Sequence, residues 1–268
     1  MPLSLPNTYY LHKITIARGD IVNKDILNIS NLRKIYHTKT DEILAVDDFS
    51  LNLSKGEIVA IVGPSGCGKS TILNMIGNLI PKSYGEIQFN EEKNISYMLQ
   101  EDALFPFRTV FKNCLLGLEI KNIDSVENRK YVNDLLKKYG LEDFKNSYPN
   151  NLSGGMRQRV ALVRTLATHP NLILLDEPFS ALDFQSRLML TDDVYKIIKE
   201  ENISAIMITH NIEEAVSMAD RIIVLSDRPS IIKKIYSTNF NELPSINRKD
   251  ERFNDLCTKI WKEIDAHV

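Results

Sequence analysis

A continuous apolar segment runs into a glycine-rich turn near residue 60, and this junction constrains the fold more than any other part of the chain. Residues 57–62 read Glu-Ile-Val-Ala-Ile-Val, which is typical of a strand buried on both faces of a parallel sheet. The turn contains three glycines followed by Lys69, Ser70 and Thr71. Residues 70–78 then predict a helix. A buried strand, a glycine turn and a helix in this order favour an α/β fold.

The turn has the spacing Gly-x-x-x-x-Gly-Lys-Ser, which is typical of loops that bind nucleotide phosphates. Glycines allow backbone N–H groups to point at phosphate oxygens, and the N-terminus of the next helix faces the same oxygens. Lys69 would contact the β- and γ-phosphates, and Ser70 would offer its hydroxyl to Mg²⁺. The pattern alone does not distinguish kinases, GTPases and ATPases. The predicted phosphate-binding residues are Gly63, Pro64, Ser65, Gly66, Cys67, Gly68, Lys69, Ser70 and Thr71.

Composition argues against several classes of protein. Lys and Arg number 33 and Asp and Glu number 35, which gives a net charge of −2 and disfavours a nucleic-acid binder driven by bulk charge. Three scattered cysteines disfavour a disulfide framework or a zinc site. No uncharged apolar run approaches the roughly 18 residues of a membrane span, and the N-terminus lacks the pattern of a secretory signal. If the protein works at a membrane, we expect another chain to supply the membrane part.

The rest of the chain predicts an alternation of strands and helices. Residues 25–53 predict a small antiparallel sheet with charged turns at 39–42 and 47–48, and Ile14 and Ile16 hint at a further short strand. A helix is expected to begin near Ser153, a good N-cap residue. The C-terminal helix is amphipathic, and we expect it to pack on its own domain rather than on a membrane or a partner. Further strands are predicted over 86–89, 95–99, 172–175, 205–208 and 222–225, and helices over 127–139, 186–200, 212–219 and 250–264.

A second possible anion site lies at the predicted helix that Ser153 caps. The sequence there is Leu-Ser-Gly-Gly-Met-Arg-Gln-Arg over 152–159, so Ser153 caps the helix while Gly154 and Gly155 expose backbone N–H groups at its N-terminus. The sequence Leu-Ser-Gly-Gly followed by Gln and Arg resembles the signature motif of ATP-binding cassette (ABC) ATPases, which also contain a phosphate loop. The resemblance implies that Ser153, Gly154 and Gly155 contact the γ-phosphate of ATP held by a second subunit in a head-to-tail homodimer.

The remaining motifs of the ABC family follow in order, and the resemblance implies a role for each. The strand 172–175 ends in Asp176 and Glu177, which resemble the residue that holds Mg²⁺ and the general base that polarises the attacking water. Residues 180–183 resemble the D-loop, which joins the two active sites. His210 resembles the switch histidine that contacts the γ-phosphate. Two further matches are Gln100, which resembles the Q-loop glutamine that touches Mg²⁺ and water, and Tyr36, which resembles the aromatic that stacks on adenine.

Together these motifs predict a fold and a domain organisation. The resemblance implies a P-loop NTPase (RecA-like) core with an antiparallel β subdomain and an inserted α-helical subdomain at about 101–165. We assign residues 1–25 to an N-terminal extension, 26–240 to the ABC ATPase domain and 241–268 to a C-terminal amphipathic helix. Only 83 positions (152 − 69) separate Lys69 from Leu152, with no heptad run, which disfavours the coiled-coil ABC proteins of chromosome maintenance.

The segment after Gln100 resembles one branch of the family in particular, the nitrate, sulfonate and taurine importers. It reads Leu-Phe-Pro-Phe-Arg-Thr-Val over 104–110, with Phe107 where that branch usually has tryptophan. The resemblance implies an ATP-hydrolysing, peripheral subunit on the cytoplasmic face of the membrane. It would contact a separate permease through the segment from Gln100 to Val110 and serve an external solute-binding protein, without a nucleic-acid partner. Alternatively, Phe105 and Phe107 belong to the core.

Two other functions remain compatible with the motifs. A soluble non-transport ABC ATPase would act on another macromolecule, and a nucleotide-sensing regulator would bind ATP without turnover. The segment 105–110 disfavours the first of these, while Glu177 and His210 disfavour the second. The transported solute is not readable from the cassette, and a sulfonate, nitrate or taurine-like solute is our first hypothesis.

Overall fold

The computed structural model describes residues 25–180 and 182–265, so the expected strand around Ile14 and Ile16 lies outside the described residues. The strands are β1 (Asp25–His37), β2 (Glu42–Ser54), β3 (Ile58–Val62), β4 (Tyr84–Phe89), β5 (Ile95–Met98), β6 (Leu172–Asp176), β7 (Ser204–Ile208), β8 (Arg221–Leu225) and β9 (Ile232–Ser237). The helices are α1 (Lys69–Ile76), α2 (Val110–Ile120), α3 (Val126–Lys138), α4 (Gly154–Leu166), α5 (Phe184–Glu200), α6 (Ile212–Met218), α7 (Pro244–Asn247) and α8 (Glu251–Asp265).

The larger sheet has the strand order β5-β6-β7-β3-β8-β9, in which only β9 runs antiparallel to its neighbour. Every residue of β3 and β7 is buried, as the unbroken apolar sequence of β3 predicts for a strand covered on both faces. Parallel strands place their carboxyl ends at one edge of a sheet, where ligands bind in open α/β folds. The predicted α/β fold is confirmed, and this edge carries the candidate site.

Alternate residues of β3 reach two separate hydrophobic cores. Ile58, Ala60 and Val62 belong to one core, which includes buried side chains of α2 to α6 and α8. Val59 and Ile61 belong to the other, which contains α1 and the smaller sheet. Because successive side chains of a strand point to opposite faces, one short strand anchors both layers and fixes the glycine turn that follows it.

The smaller sheet is antiparallel, in the order β2-β1-β4, as the sequence predicts, but one expected turn is wrong. Asp47 and Asp48 lie inside the 13-residue strand β2 rather than at a chain reversal. The register slips by one residue between the pairs Leu32↔Phe49 and Lys34↔Val46, which marks a β-bulge. Asp48 has φ +51 there, so the bulge accommodates the acidic pair without ending the strand.

Helices α2, α3 and α4 pack on one another beside β5. The sequence analysis did not identify α2, whose N-cap Thr109 accepts a hydrogen bond from the Lys112 N–H at 3.3 Å. Helix α8 lies where the sequence predicts it and buries Phe253, Cys257 and Ile260. Of the helices in the described parts of the chain, none has both the length and the apolar character needed to cross a membrane. The domain boundaries proposed above stay a prediction.

Candidate active site

The glycine turn joins the carboxyl end of β3 to the N-terminus of α1, and its last glycine, Gly68, cannot be replaced without displacing the turn. Its φ is +124, a conformation that residues with a Cβ rarely adopt. A Cβ at this position would lie 2.9 Å from Ser230 Oγ and 3.0 Å from the Ala45 carbonyl oxygen. The turn is therefore held from outside by β2 and by the loop before β9, and any side chain at position 68 would displace it.

Lys69 folds back over the turn. Its Nζ donates to the carbonyl oxygens of Gly63 and Pro64, both at 2.8 Å, and the residue is only 8% exposed. Charge-assisted bonds to phosphate are stronger than bonds to neutral carbonyls, so the ammonium can exchange these partners for phosphate oxygens. Cys67 is buried beside it, and burial raises the pKa of the Cys67 thiol. A neutral buried thiol fits packing rather than nucleophilic chemistry.

Three side chains from three elements converge at the carboxyl edge of the sheet. Glu177 follows β6, His210 follows β7 and Gln100 follows β5. Glu177 Oε2 lies 3.1 Å from His210 Nδ1 and accepts a hydrogen bond from Gln100 Nε2 at 3.2 Å. Because β5 and β7 both pair with β6 in parallel, the carboxyl ends of the three strands lie side by side and bring these side chains together. Glu177 is held in a left-handed conformation, φ +45, which aims its side chain out of the strand direction.

Asp176 precedes Glu177 and lies deeper in the sheet. Burial raises the pKa of its carboxyl, whereas hydrogen bonds from Tyr97 and Ser70 lower it. The Tyr97 hydroxyl lies 3.3 Å from Asp176 Oδ2 and 2.9 Å from Asn74 Oδ1 of α1. The sequence analysis missed Tyr97 and Asn74, because no motif spacing singles them out. The pairing of β5 with β6 brings Tyr97 to the carboxylate, and the packing of α1 on β6 brings Asn74 to Tyr97.

Gln100, Glu177 and His210 line one cleft with a volume of about 650 Å³, whereas Asp176 is not among its lining residues. At its margin the Tyr36 hydroxyl lies 3.4 Å from Thr71 Oγ1, beside the first turn of α1. The cleft thus brings the phosphate loop together with all three residues predicted to act on water. Its lining residues are Ser65, Gly66, Gly68, Lys69, Ser70, Thr71, Gln100, Glu177 and His210.

The helix tip formed by Ser153, Gly154 and Gly155 lies elsewhere. Ser153 caps α4 as predicted, since its Oγ accepts a hydrogen bond from the Met156 N–H at 3.3 Å. Ser153 and Gly154 are exposed, and none of the three tip residues lines the phosphate-loop cleft. A Cβ on Gly154 would meet nothing closer than Arg157 Nη2 at 3.8 Å. The fold of this chain therefore has no steric need for glycine at position 154.

Comparison with known proteins agrees with this geometry. The family profile described as ABC transporter matches residues 46–180. An uncharacterized ABC transporter ATP-binding protein, YtlC of Bacillus subtilis (strain 168), is 41% identical over 90% of this chain and 96% of its own length. The taurine import ATP-binding protein TauB of Roseobacter denitrificans (strain ATCC 33942 / OCh 114) is 39% identical over 81% of this chain and 84% of its own length.

Solved structures give the same result. A dimeric ATP-binding cassette in a post-hydrolysis state, bound to ADP and Pi, is 32% identical with a TM-score of 0.71, and the match covers 80% of this chain and 100% of that one. The phosphate-loop cleft, the converging polar side chains and these relatives lead to one assignment. The chain belongs to the ABC transporter family, as one of its ATP-binding and ATP-hydrolysing cassettes.

Proposed function

We propose that this cassette powers uptake of a small sulfonate, such as a taurine-like solute, through a separate permease. The observation that carries the catalytic part is the convergence of Gln100, Glu177 and His210 on the cleft beside the phosphate loop. The import assignment has two supports: the exposed aromatic segment after Gln100 and the relative named for taurine import. Nitrate is the other small anion that the resemblance implies.

Glu177 is the proposed general base. With ATP in the cleft, its carboxylate would take a proton from the water that attacks the γ-phosphorus, while the bond from that phosphorus to the ADP oxygen breaks. His210, at 3.1 Å from Glu177 Oε2, would contact the γ-phosphate and fix the carboxylate. Gln100 would orient the same water. Positioning and charge stabilisation of this kind supply most of the catalysis in phosphoryl transfer.

The residues around Asp176 fit Mg²⁺. The donor set is a Ser70 hydroxyl, a Gln100 amide oxygen and an Asp176 carboxylate, all hard oxygen ligands of the type that Mg²⁺ prefers. Within 25–180 and 182–265 no cluster of three His, Cys, Asp or Glu residues forms a metal site, which suits an ion held chiefly by one carboxylate and the substrate's phosphates. Bound there, the ion would neutralise charge on the β- and γ-phosphates.

The second half of each site would come from another copy of the chain. The tip at 153–155 presents N–H groups at the start of α4, a helix of 13 residues, and its dipole favours a negative ligand. Gly154 tolerates a side chain in the single chain, so close approach of something outside the chain explains the glycine better than packing does. In a head-to-tail homodimer the phosphates bound to the partner's loop would be that ligand.

The segment from Gln100 to Val110 is the proposed permease contact. Phe107 is 74% exposed and Phe105 39% exposed, with ring centroids 5.4 Å apart, so the alternative that Phe107 is a core residue is wrong. Buried Asn113 holds the segment: its Oδ1 accepts from the Phe105 N–H at 2.8 Å, and its Nδ2 donates to the Arg108 carbonyl at 3.0 Å. A rigid exposed aromatic pair is suited to anchoring a partner helix.

This contact would place the cassette on the cytoplasmic face of the membrane without entering it. The rival function, a soluble ABC ATPase acting on another macromolecule, would require a different surface to carry the partner contact.

The decisive experiment is purification of the Glu177→Gln chain after co-expression with the genes beside its own. Recovery of a permease with several membrane spans, together with uptake of taurine or another sulfonate that needs Lys69, supports the proposal. Recovery with ribosomes or DNA instead would overturn it. Phe107→Ala is expected to lose the permease, whereas Val126→Ala is the matched control, because Val126 is 81% exposed in the same helical region but lies outside the segment.

A further inference from the structure

Hydrogen bonds and an ion pair run from the His210 loop to Leu182, which lies beside the helix tip at 153–155, and Glu214 lies at their centre. Glu214 is on α6 and is 3% exposed. Its Oε2 accepts a hydrogen bond from Thr209 Oγ1 at 2.9 Å. Thr209 Oγ1 in turn accepts from the Asn211 N–H at 3.0 Å, and Asn211 Oδ1 accepts from the Glu214 N–H at 3.2 Å. The residues on both sides of His210 are therefore hydrogen-bonded to Glu214, Thr209 through the carboxylate and Asn211 through the backbone N–H.

The other oxygen of Glu214 faces Arg187 of α5. Arg187 Nε lies 3.6 Å from Glu214 Oε1, which is an ion pair but too long for a hydrogen bond. Among the described residues Arg187 Nε has no hydrogen-bond partner although it is buried. Arg187 Nη2 donates to the Leu182 carbonyl oxygen at 2.9 Å. Arg187 thus bridges the buried acid and the loop that follows Ser180.

Leu182 completes the path. It is 6% exposed, and its Cδ2 lies 3.5 Å from the position that a Cβ on Gly155 would occupy, so Leu182 lies beside the tip. The path runs from His210 through Thr209, Glu214, Arg187 and Leu182 to the tip of α4. His210 belongs to the half-site of this chain's own ATP, and the tip belongs to the half-site of the partner's ATP.

We propose that Glu214 is a positioning residue that couples these two half-sites, acting through Thr209 on one side and Arg187 on the other. This inference rests on the proposed roles of His210 and of the tip. Burial disfavours an unpaired carboxylate, so Glu214 is held against both partners at once, and movement of either loop is transmitted to the other. The Thr209 hydroxyl lies within hydrogen-bond distance of Glu214 Oε2. Arg187 Nε lies several tenths of an ångström too far from Glu214 Oε1 for a hydrogen bond. Closure of the dimer would tighten this contact.

Electrostatic surroundings agree with this role. Burial raises the pKa of the Glu214 carboxyl, and the hydrogen bond from Thr209 and the charges of Arg187, His210 and Arg248 lower it. Arg248 pairs with the neighbouring Glu213 at 3.0 Å. Glu213, whose side chain is 58% exposed, has no contact with the path, which makes it a matched control.

The test uses the full-length protein with conservative variants. Thr209→Val keeps the shape but removes the hydroxyl, Thr209→Ser restores it, and Glu214→Gln keeps a hydrogen-bond acceptor but removes the charge facing Arg187. Thr209→Val and Glu214→Gln are expected to lower kcat about 10- to 100-fold, the effect of a misplaced catalytic group. Binding of a fluorescent ATP analogue is expected to stay within about threefold of wild type. Thr209→Ser and Glu213→Gln are expected to turn over normally.

A double variant tests the path itself. Arg187→Lys combined with Glu214→Gln is expected to be no slower than the slower single variant, because residues acting on one path are not additive. If the decreases in kcat of the two single variants multiplied in the double variant, the coupling would be overturned. So would normal turnover of Thr209→Val, or a loss of nucleotide affinity and melting temperature in step with kcat, which would mean that Glu214 only supports the fold. Failure to recover a permease with the Glu177→Gln chain would instead refute the transport proposal and leave this one standing, because kcat is measured on the cassette itself.

Discussion

The phosphate loop and the tip of α4 are both helix N-termini with exposed N–H groups, yet the chain treats them differently. In the loop, Gly68 has φ +124 and a Cβ there would meet neighbours at 2.9 Å and 3.0 Å. At the tip, a Cβ on Gly154 would meet nothing closer than 3.8 Å. The first glycine is demanded by the chain's own fold. The second is not demanded by that fold, and the packing of the chain itself gains nothing from it.

This difference separates a loop that is held by its own chain from a tip whose glycine at position 154 the packing of that chain does not require. The loop is braced by its own subunit, with Lys69 already folded over it, so it can bind nucleotide in a single chain. The tip is capped and lies outside the cleft of its own chain, and in the proposed function its ligand is held by a second copy. A binding measurement on one chain should therefore report the loop, whereas hydrolysis should report the loop and the tip together.

The largest expected effect is that of Glu177→Gln, which should trap the ATP-bound homodimer, in which the loop of one chain faces the tip of the other. The amide cannot take a proton from water, so kcat should fall about 10²- to 10⁴-fold while ATP binding remains. The ATP-bound homodimer should accumulate and be visible by size-exclusion chromatography coupled to light scattering. Turnover at the wild-type rate would show that Glu177 is not the base.

Lys69→Ala should affect the loop alone. Loss of the charge-assisted bonds to phosphate, each worth about 1.5–3 kcal/mol, predicts at least a tenfold to hundredfold weaker affinity for ATP. Titration with a fluorescent ATP analogue measures it, and circular dichroism verifies the fold. Lys145→Ala, which changes an exposed lysine far from the cleft in sequence, is the control. An unchanged ATP affinity in Lys69→Ala would contradict the assignment of the loop.

Gly154→Ala and Gly68→Ala test the two helix N-termini side by side. Gly154→Ala should keep ATP affinity and melt no lower than wild type, because a Cβ there would meet nothing closer than 3.8 Å. Its kcat should nevertheless fall about tenfold, since the added methyl obstructs the approach of phosphate. Gly68→Ala should lose both stability and ATP binding. Normal turnover by Gly154→Ala would remove the argument that the tip contacts a partner's nucleotide.

The smallest effect is expected at Tyr36. Stacking of an aromatic ring on a base is worth about 1–3 kcal/mol, and the 38% exposure of Tyr36 places it at the lower end. Tyr36→Ala should raise KM for ATP about fivefold with kcat unchanged, whereas Tyr36→Phe should behave as wild type. If Tyr36→Phe were equally impaired, the hydroxyl near Thr71 rather than the ring would be the functional group.

Some parts of this molecule follow from short-range sequence alone. The apolar run of β3, the glycine spacing of the loop and the Ser153 cap are local patterns, and the structure contains the expected strand, loop and helix start. The bulge at Asp48 and helix α2 were not anticipated. The bulge depends on how β2 pairs with β1, which local sequence does not reveal. Helix α2 begins at Val110, after its N-cap Thr109, in a segment that the sequence analysis interpreted as a contact surface.

The fold class and the phosphate loop follow from the sequence, because strand periodicity, glycine conformation and helix capping act over a few residues, whereas the polar residues at the strand ends were singled out by the resemblance to ABC ATPases. Which of those side chains come into contact depends on the packing of strands and helices that are distant in sequence. The order β5-β6-β7-β3 brings Gln100, Glu177 and His210 to one edge and leaves the tip of α4 outside their cleft. The same packing joins Thr209, Glu214 and Arg187, whose contacts depend on how α5 and α6 pack rather than on any local pattern.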